Sequence, residues 1–151
     1  MPGGGGIPFF DPGFWDWVAQ EFQAAWVADI FDINVFHCMD LIGDPDDPLE
    51  YIARRIMTFP INFISREYSR VKDYLVQAAR ERQANASVAY APFTCKQLAL
   101  LTRFFKDNMV EEVGIPTLIL DGDYLDKSII STSQMKGRLS EFFDMLEKRT
   151  P

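Results

Sequence analysis

The chain has 151 residues, of which 48% are hydrophobic and 25% charged, a composition that is typical of a folded globular protein and excludes a disordered or fibrous chain. This length suits one hydrophobic core, so the sequence predicts a single domain over residues 7–151. The formal net charge of −7 argues against a nucleic-acid partner, because binding a polyanion needs a basic face.

The sequence also predicts a cytoplasmic protein with no membrane partner. No apolar run approaches the about eighteen residues of a membrane span, and residues 1–6 lack the basic and apolar regions of a signal peptide. In reducing cytosol, Cys38 and Cys95 are not expected to form a structural disulfide. We expect residues 1–6, with their four glycines, to be a flexible tail, because glycine loses the most backbone entropy on ordering.

The first predicted helix follows Asp11 and Pro12, where aromatic and aliphatic residues recur at helical spacing as far as Trp26. Residues 27–37 then mix apolar and polar side chains in a pattern that suits a strand and its exit loop better than a helix.

Two further helices are predicted before the middle of the chain. Asp47 is a good cap and Pro48 is preset for a first helical turn, so a helix is predicted over residues 48–58. Pro60 ends it. From about Ser65, a second apolar stripe predicts a long helix that is exposed on one side.

The second half of the chain alternates strand, helix and strand. Residues 87–91 form a short apolar run, as expected of a buried parallel strand, and residues 115–120 form the clearest strand of the chain. The helix between them is predicted to close at Gly114. Ser131 and Gln134 have the spacing of a capping box at the start of the last helix.

Together these elements predict an α/β fold, a three-layer Rossmann-like domain with a small parallel sheet flanked by helices. Only three strands are clear, and such a sheet has too little face for five apolar helix stripes. Its edges would also be bare. We therefore expect a missing amino-terminal domain or a partner subunit to cover part of the surface.

Ligands of parallel α/β sheets bind beyond the carboxyl ends of the strands, which selects residues 92–97 and 121–133. In the first loop, Cys95 lies beside Lys96 at a helix start, where the cation and the helix dipole favour the thiolate. Such a thiol suits a metal or cluster ligand, or a nucleophile. The alternative is a packed, unreactive cysteine.

Other side chains offer weaker signals. Asp121, Asp123 and Asp126 share one loop and could bind a divalent cation or transfer a proton, although such residues more often cap and solvate a loop. The loop lacks the twelve-residue calcium pattern. His37 and Cys38 are zinc-ligand types, but no second pair stands at the required spacing.

Residues 114–126, which read GIPTLILDGDYLD, resemble the closing motif of the 2-hydroxyacyl-CoA dehydratase and benzoyl-CoA reductase family. The resemblance covers nearly all of this chain but only part of the family's usual subunit, as in a truncated subunit or carboxyl-terminal domain. The other matching stretches are Gly6 to Pro8, Asp47 to Glu50, Ala53 and Arg54, Ser133 and Gln134, Arg138 and Leu139, and Glu141 and Phe142.

This resemblance implies that Cys95 ligates a four-iron four-sulfur cluster, with Lys96 as a neighbouring cation. Cys38 fills no clear family position, so the remaining cluster ligands would come from another domain or subunit. The implied enzyme takes low-potential electrons from an ATP-dependent activator protein. It forms a radical from an acyl-CoA thioester and then loses water or reduces a ring.

Two other functions stay open at this point. A non-catalytic assembly or interaction domain that retains the fold would be colourless under every condition. A thiol enzyme with Cys95 as nucleophile would be alkylated at Cys95 well below the pH of an ordinary thiol, but His37 is the only histidine of the chain and no histidine lies near Cys95 in sequence.

Overall fold

The computed structural model describes residues 2–4, 13–29, 42–58, 68–123, 126, 128, 129 and 131–148. These residues form an α/β fold with parallel strands, as the sequence predicts. The strands are β1 (Pro2–Gly4), β2 (Ala28–Asp29), β3 (Ser87–Pro92) and β4 (Thr117–Gly122). The α-helices are α1 (Phe14–Phe22), α2 (Pro48–Thr58), α3 (Tyr68–Glu81), α4 (Lys96–Asn108) and α5 (Thr132–Glu147). A π-helix, Met109–Val113, continues α4.

The four strands form one sheet in the order β2-β1-β3-β4, and each neighbouring pair is parallel. The longest ladder joins β3 and β4, from Ser87 opposite Thr117 to Pro92 opposite Gly122. Every residue of β3 is buried. Such burial is expected when both faces of a parallel sheet are covered, and it explains why β3 reads as a continuous apolar run.

Strand β1 corrects one prediction. Pro2–Gly4 pair with β2 on one side and β3 on the other, so the prediction of a flexible glycine-rich tail is wrong for these three residues. The hydrogen bonds between strands use only backbone N–H and C=O groups, so neighbouring strands on both sides can hold even a glycine-rich segment. Glycines carry no hydrophobic pattern, and sequence reasoning has no signal for such a strand.

Helices pack on both faces of the sheet. Val88 and Tyr90 point from β3 toward α1 and α5, whereas Ala89 points toward α3 and α4, because successive strand residues face opposite sides. The first cluster consists of Phe14, Val18, Ala86, Val88, Tyr90, Leu120, Met135, Leu139, Phe142 and Phe143. The second consists of Ala28, Val71, Leu75, Val76, Ala78, Ala79, Ala89, Phe105, Met109 and Ile115.

The helix boundaries confirm some predictions and correct others. Helix α2 spans the predicted residues, and Asp47 accepts a hydrogen bond from Leu49 N at 2.9 Å. Helix α1 ends at Phe22, because Gln23 takes a left-handed conformation with φ 49°. The prediction that Trp26 belongs to this helix is therefore wrong. Trp26 instead packs on Trp15, with ring centroids 4.4 Å apart.

Some predicted features lie outside the described residues. Of the strand and exit loop predicted at residues 27–37, the structure describes Val27 and strand β2. The predicted start of the third helix near Ser65 and the predicted end of the second at Pro60 also lie outside the described residues. The same holds for Asp11 and Pro12.

The end of the helical segment after β3 and the start of α5 lie where the sequence predicts them. The helical segment after β3 closes at Gly114, whose φ of 81° is left-handed, although its last turn is the π-helix. At the start of α5, Ser131 Oγ accepts from Gln134 N at 3.2 Å and Gln134 Oε1 accepts from Ser131 N at 3.0 Å. The predicted capping box is therefore confirmed.

Substitution of glycine by alanine should change the free energy of unfolding in opposite directions at Gly114 and Gly137. A Cβ added to Gly114 or Gly137 would meet nothing within 4 Å, so only backbone preference should matter. Gly137 lies inside α5, and Gly137→Ala should raise the free energy of unfolding by about 0.5–1 kcal/mol. Gly114→Ala should lower it by about 1–2 kcal/mol, because alanine disfavours positive φ. Urea unfolding followed by circular dichroism measures both; shifts of the same sign would contradict this account.

Candidate functional site

The candidate site lies at the carboxyl edge of the sheet, where the loops after β3 and β4 leave side by side. Phe93 N donates to Gly122 O at 2.8 Å and ties the two loops together. The chain connects β1 to β2 on one side and β3 to β4 on the other, so the sheet order reverses between β1 and β3. In open parallel sheets, ligands bind at the carboxyl end of the strands beside such a reversal.

Cys95 stands at this edge as the N-terminal capping residue of α4. A turn after β3 places it there, with Cys95 N donating to Pro92 O at 3.1 Å, and Cys95 O accepts from Ala99 N at 3.0 Å. Its side chain makes no capping hydrogen bond. The thiol is free and partly exposed. Its sulfur is therefore available to a ligand, at the amino end of a thirteen-residue helix whose dipole favours negative charge.

The neighbours of Cys95 are a cation and an aromatic ring. Lys96 is exposed and forms no ion pair with another described residue. Phe93 directly follows the fully buried strand β3, yet its side chain is 59% exposed. Such exposure is unusual for so large an apolar side chain. This part of the edge thus carries a partly exposed thiol, an exposed lysine and an exposed aromatic ring.

Behind the loops, Tyr90 fixes the segment that follows β4. Its hydroxyl donates to Asp123 O at 2.8 Å, and Asp123 is only 2% exposed. Asp123 Oδ1 in turn accepts from Asp126 N at 3.1 Å. Ser128 donates to Asp126 through Oγ and N, and these bonds hold the pKa of the Asp126 carboxyl below its usual range. These two aspartates therefore shape the loop, the ordinary role of such residues.

Asp121 makes a different contact, toward α5. Arg138 Nη1 lies 3.1 Å from Asp121 Oδ2, with both side chains nearly half exposed. An exposed pair of this kind adds little stability. It does join the end of β4 to the helix that covers one face of the sheet.

Burial of two tyrosines predicts a loss of stability in alkali. Burial raises the pKa of Tyr90 to about 12, with a smaller effect from Asp123, and burial raises the pKa of Tyr68 to about 12, opposed by Asn108. Between about pH 10 and 12 the unfolded chain loses these protons while the folded chain keeps them. The free energy of unfolding should therefore fall as pH rises through that window.

Urea unfolding between pH 9 and about 12, with Tyr90→Phe beside the wild type, tests this expectation. The variant should lose part of the alkaline slope, because the phenol that titrates is gone. An unchanged slope in Tyr90→Phe would show that this tyrosine titrates equally in both states.

The described residues offer one thiolate to a cluster. Among them, no group of three or more histidine, cysteine or acidic side chains is placed to hold a metal ion. His37 and Cys38 lie outside the described residues. The chain has two cysteines, whereas a four-iron four-sulfur cluster is normally held by four. Cys95 thus fits as one ligand, and a complete cluster needs ligands from beyond this chain.

Sequence reasoning found Cys95 and the acidic loop but missed Tyr90, Phe93 and Arg138 as parts of the edge. The sequence predicts only a strand position for Tyr90, but a tyrosine in a fully buried strand needs a hydrogen-bond partner for its hydroxyl, and this requirement is a signal for the contact with Asp123. Pairing of Arg138 with Asp121 depends on the packing of α5, for which the sequence gives no signal.

Apolar side chains remain exposed on two helices. On α2, Leu49, Ile52 and Ile56 lie on one helical face and are 75%, 51% and 56% exposed. On α4, Leu100 and Phe104 are 65% and 52% exposed. Single exposed apolar residues are ordinary, but faces of this kind are common at protein contacts. The predicted excess of apolar helix surface is therefore present in the described residues.

Most of the chain is similar to a known protein family. In the described residues, no helix is both long and apolar enough to span a membrane. The family model described as 2-hydroxyglutaryl-CoA dehydratase, D-component, matches residues 5–146. A search of curated proteins found no significant match to the chain.

Proposed function

Because the chain belongs to the 2-hydroxyglutaryl-CoA dehydratase D-component family, we propose that it is a domain or short subunit of an iron–sulfur enzyme that acts on an acyl-CoA thioester. The reaction is radical dehydration or, as in a benzoyl-CoA reductase, ring reduction. The observation that carries the proposal is the position of Cys95, free and partly exposed at the carboxyl edge of the sheet. The two clusters on opposite faces of the sheet support a three-layer Rossmann-like domain.

In this proposal Cys95 supplies one thiolate to a four-iron four-sulfur cluster, which would bring one-electron chemistry to the thioester. The other ligands come from a further domain or a partner subunit. Lys96 places a positive charge next to Cys95 in the sequence, where it would meet an anionic part of the substrate. Phe93 offers apolar contact to an acyl group. An ATP-dependent activator supplies the electrons, and the assembly works in the cytoplasm.

The prediction is that iron binding requires Cys95. After anaerobic reconstitution with iron and sulfide, the wild-type protein should contain iron and, once reduced, show an electron paramagnetic resonance signal. Cys95→Ala should abolish both. Here several copies of the chain would pool their thiolates around one cluster. Cys38→Ala is the matched control, because it removes the same number of thiols and should keep most of the bound iron.

Other results separate the rival functions. Equal iron in wild type and Cys95→Ala would remove Cys95 as a ligand. Colourless protein in every variant, also when a partner that supplies cysteines is present, would favour a non-catalytic assembly domain, which the exposed apolar face of α2 would suit. Alkylation of Cys95 at unusually low pH without iron binding would favour a thiol nucleophile.

A further inference from the structure

A cleft lies at the opposite end of the sheet from Cys95. It opens at the amino end of β3, beside Ala86, with a volume of about 430 Å³. Its walls come from the segment after α1, the turn after α3 and the last turns of α5. Small-molecule sites commonly have volumes of about 300–1,000 Å³, so this cleft has room for a compact organic ligand.

The charge of this cleft is opposite to that of the chain. The chain carries 22 acidic residues and 15 lysines and arginines, yet among the described residues that line the cleft there is no carboxylate, and Arg82 is the one charged residue. The Arg82 guanidinium donates from Nη1 to Val27 O. A guanidinium has five N–H donors in a planar fork, so further donors remain for an anion. Carboxylate is a natural partner for this geometry.

One wall of the cleft is aromatic and aliphatic. Phe22 and Phe143 stack with ring centroids 4.2 Å apart and planes 8° from parallel, and Leu146 lies beside them in the lining. This wall offers apolar contact to a ligand whose charged end lies on Arg82. Together, the arginine and the wall favour a ligand with one anionic end and an apolar body.

Two glutamines in the lining hold unfavourable backbone conformations. Gln23 and Gln83 have φ values of 49° and 51° and are the non-glycine residues of the described chain with positive φ. Gln23 directly follows α1 and Gln83 lies two residues after the end of α3, positions where glycine would relieve the backbone cost. Both line the same cleft, which is the arrangement expected if their amide groups serve a ligand.

We propose that this cleft binds a small organic carboxylate with an apolar body. The carboxylate accepts hydrogen bonds from Arg82 and from the amide of Gln23 or Gln83, while the body lies against Phe22 and Phe143. This site is separate from the edge that carries Cys95 and does not depend on the cluster.

Titration of the full chain with 3-phenylpropanoate, followed by ¹H–¹⁵N NMR, tests the proposal. The amide signals of Ala84 and Asn85 should shift with saturation at a Kd of about 1 mM or tighter. The neutral 3-phenylpropanamide should bind at least about tenfold more weakly. Arg82→Gln should lose about tenfold in affinity for the anion only, and Arg82→Lys should lose less.

The glutamines give a test that a merely structural role would fail. Gln23→Gly and Gln83→Gly should each raise Tm by about 2 °C, as backbone cost is relieved, and at least one should weaken binding of 3-phenylpropanoate about threefold or more. Cys95→Ala should leave this binding unchanged, which separates the cleft from the proposed cluster site. Equal affinity for the two probes, no saturable shift up to about 10 mM, or shifts caused by self-association instead of ligand would overturn the proposal.

Discussion

Leu139→Ala should lower the free energy of unfolding by about 2–5 kcal/mol. Leu139 is 0% exposed and lies in the cluster between α5 and the sheet, among Phe14, Leu120 and Met135. Truncation removes buried apolar surface and leaves a cavity that close-packed neighbours fill only in part. Denaturant unfolding monitored by tryptophan fluorescence measures the loss.

Leu100→Ala is the matched control for this prediction. It makes the same chemical change inside an α-helix, but Leu100 is 65% exposed on α4. Helix propensity slightly favours alanine, so its effect should lie within about 0.5 kcal/mol of zero. Equal losses in the two variants would show that α4 is packed in solution by something that covers Leu100, such as a second copy of the chain.

The fold was predictable where side chains carry a pattern. Strand β3 and helix α2 were predicted within one residue of their bounds, because one is a continuous apolar run and the other has both a cap and a proline start. The capping box at Ser131 was also predictable, since two side chains at fixed spacing form it. Each of these signals is local.

Elements without such patterns were not predictable. Strand β1 consists of Pro2–Gly4, which carry almost no side-chain information, and its place in the sheet depends on β2 and β3. Helix α1 stops at Gln23 although Trp26 continues the apolar spacing. Trp26 packs on Trp15 outside the helix, and helical periodicity in the sequence does not predict such a tertiary contact.

The candidate site shows the same division. Cys95 was predictable as an edge residue because it follows a clear strand and precedes a clear helix. The bond from Tyr90 to Asp123 and the pairing of Arg138 with Asp121 join residues 33 and 17 positions apart. Such contacts depend on how β4 and α5 pack, so the spacing of residues in the sequence does not predict them.

Ser87→Ala should cost about 1–3 kcal/mol of unfolding free energy, although it removes one oxygen atom. Ser87 Oγ and Thr117 Oγ1 lie 2.5 Å apart across β3 and β4, and the two residues are 0% and 8% exposed. Removing one hydroxyl leaves the other buried with its main partner gone. A buried polar group without a hydrogen bond destabilises the folded state, because the same group is hydrogen-bonded to water in the unfolded chain.

The double variant Ser87→Ala with Thr117→Val provides the decisive comparison. It removes both hydroxyls and keeps the threonine shape, so its loss should be smaller than the sum of the single losses by about 1 kcal/mol or more. Urea unfolding of all four proteins completes the cycle. Additive losses would mean that the hydroxyls are not coupled, and that each is satisfied by another group in the folded chain.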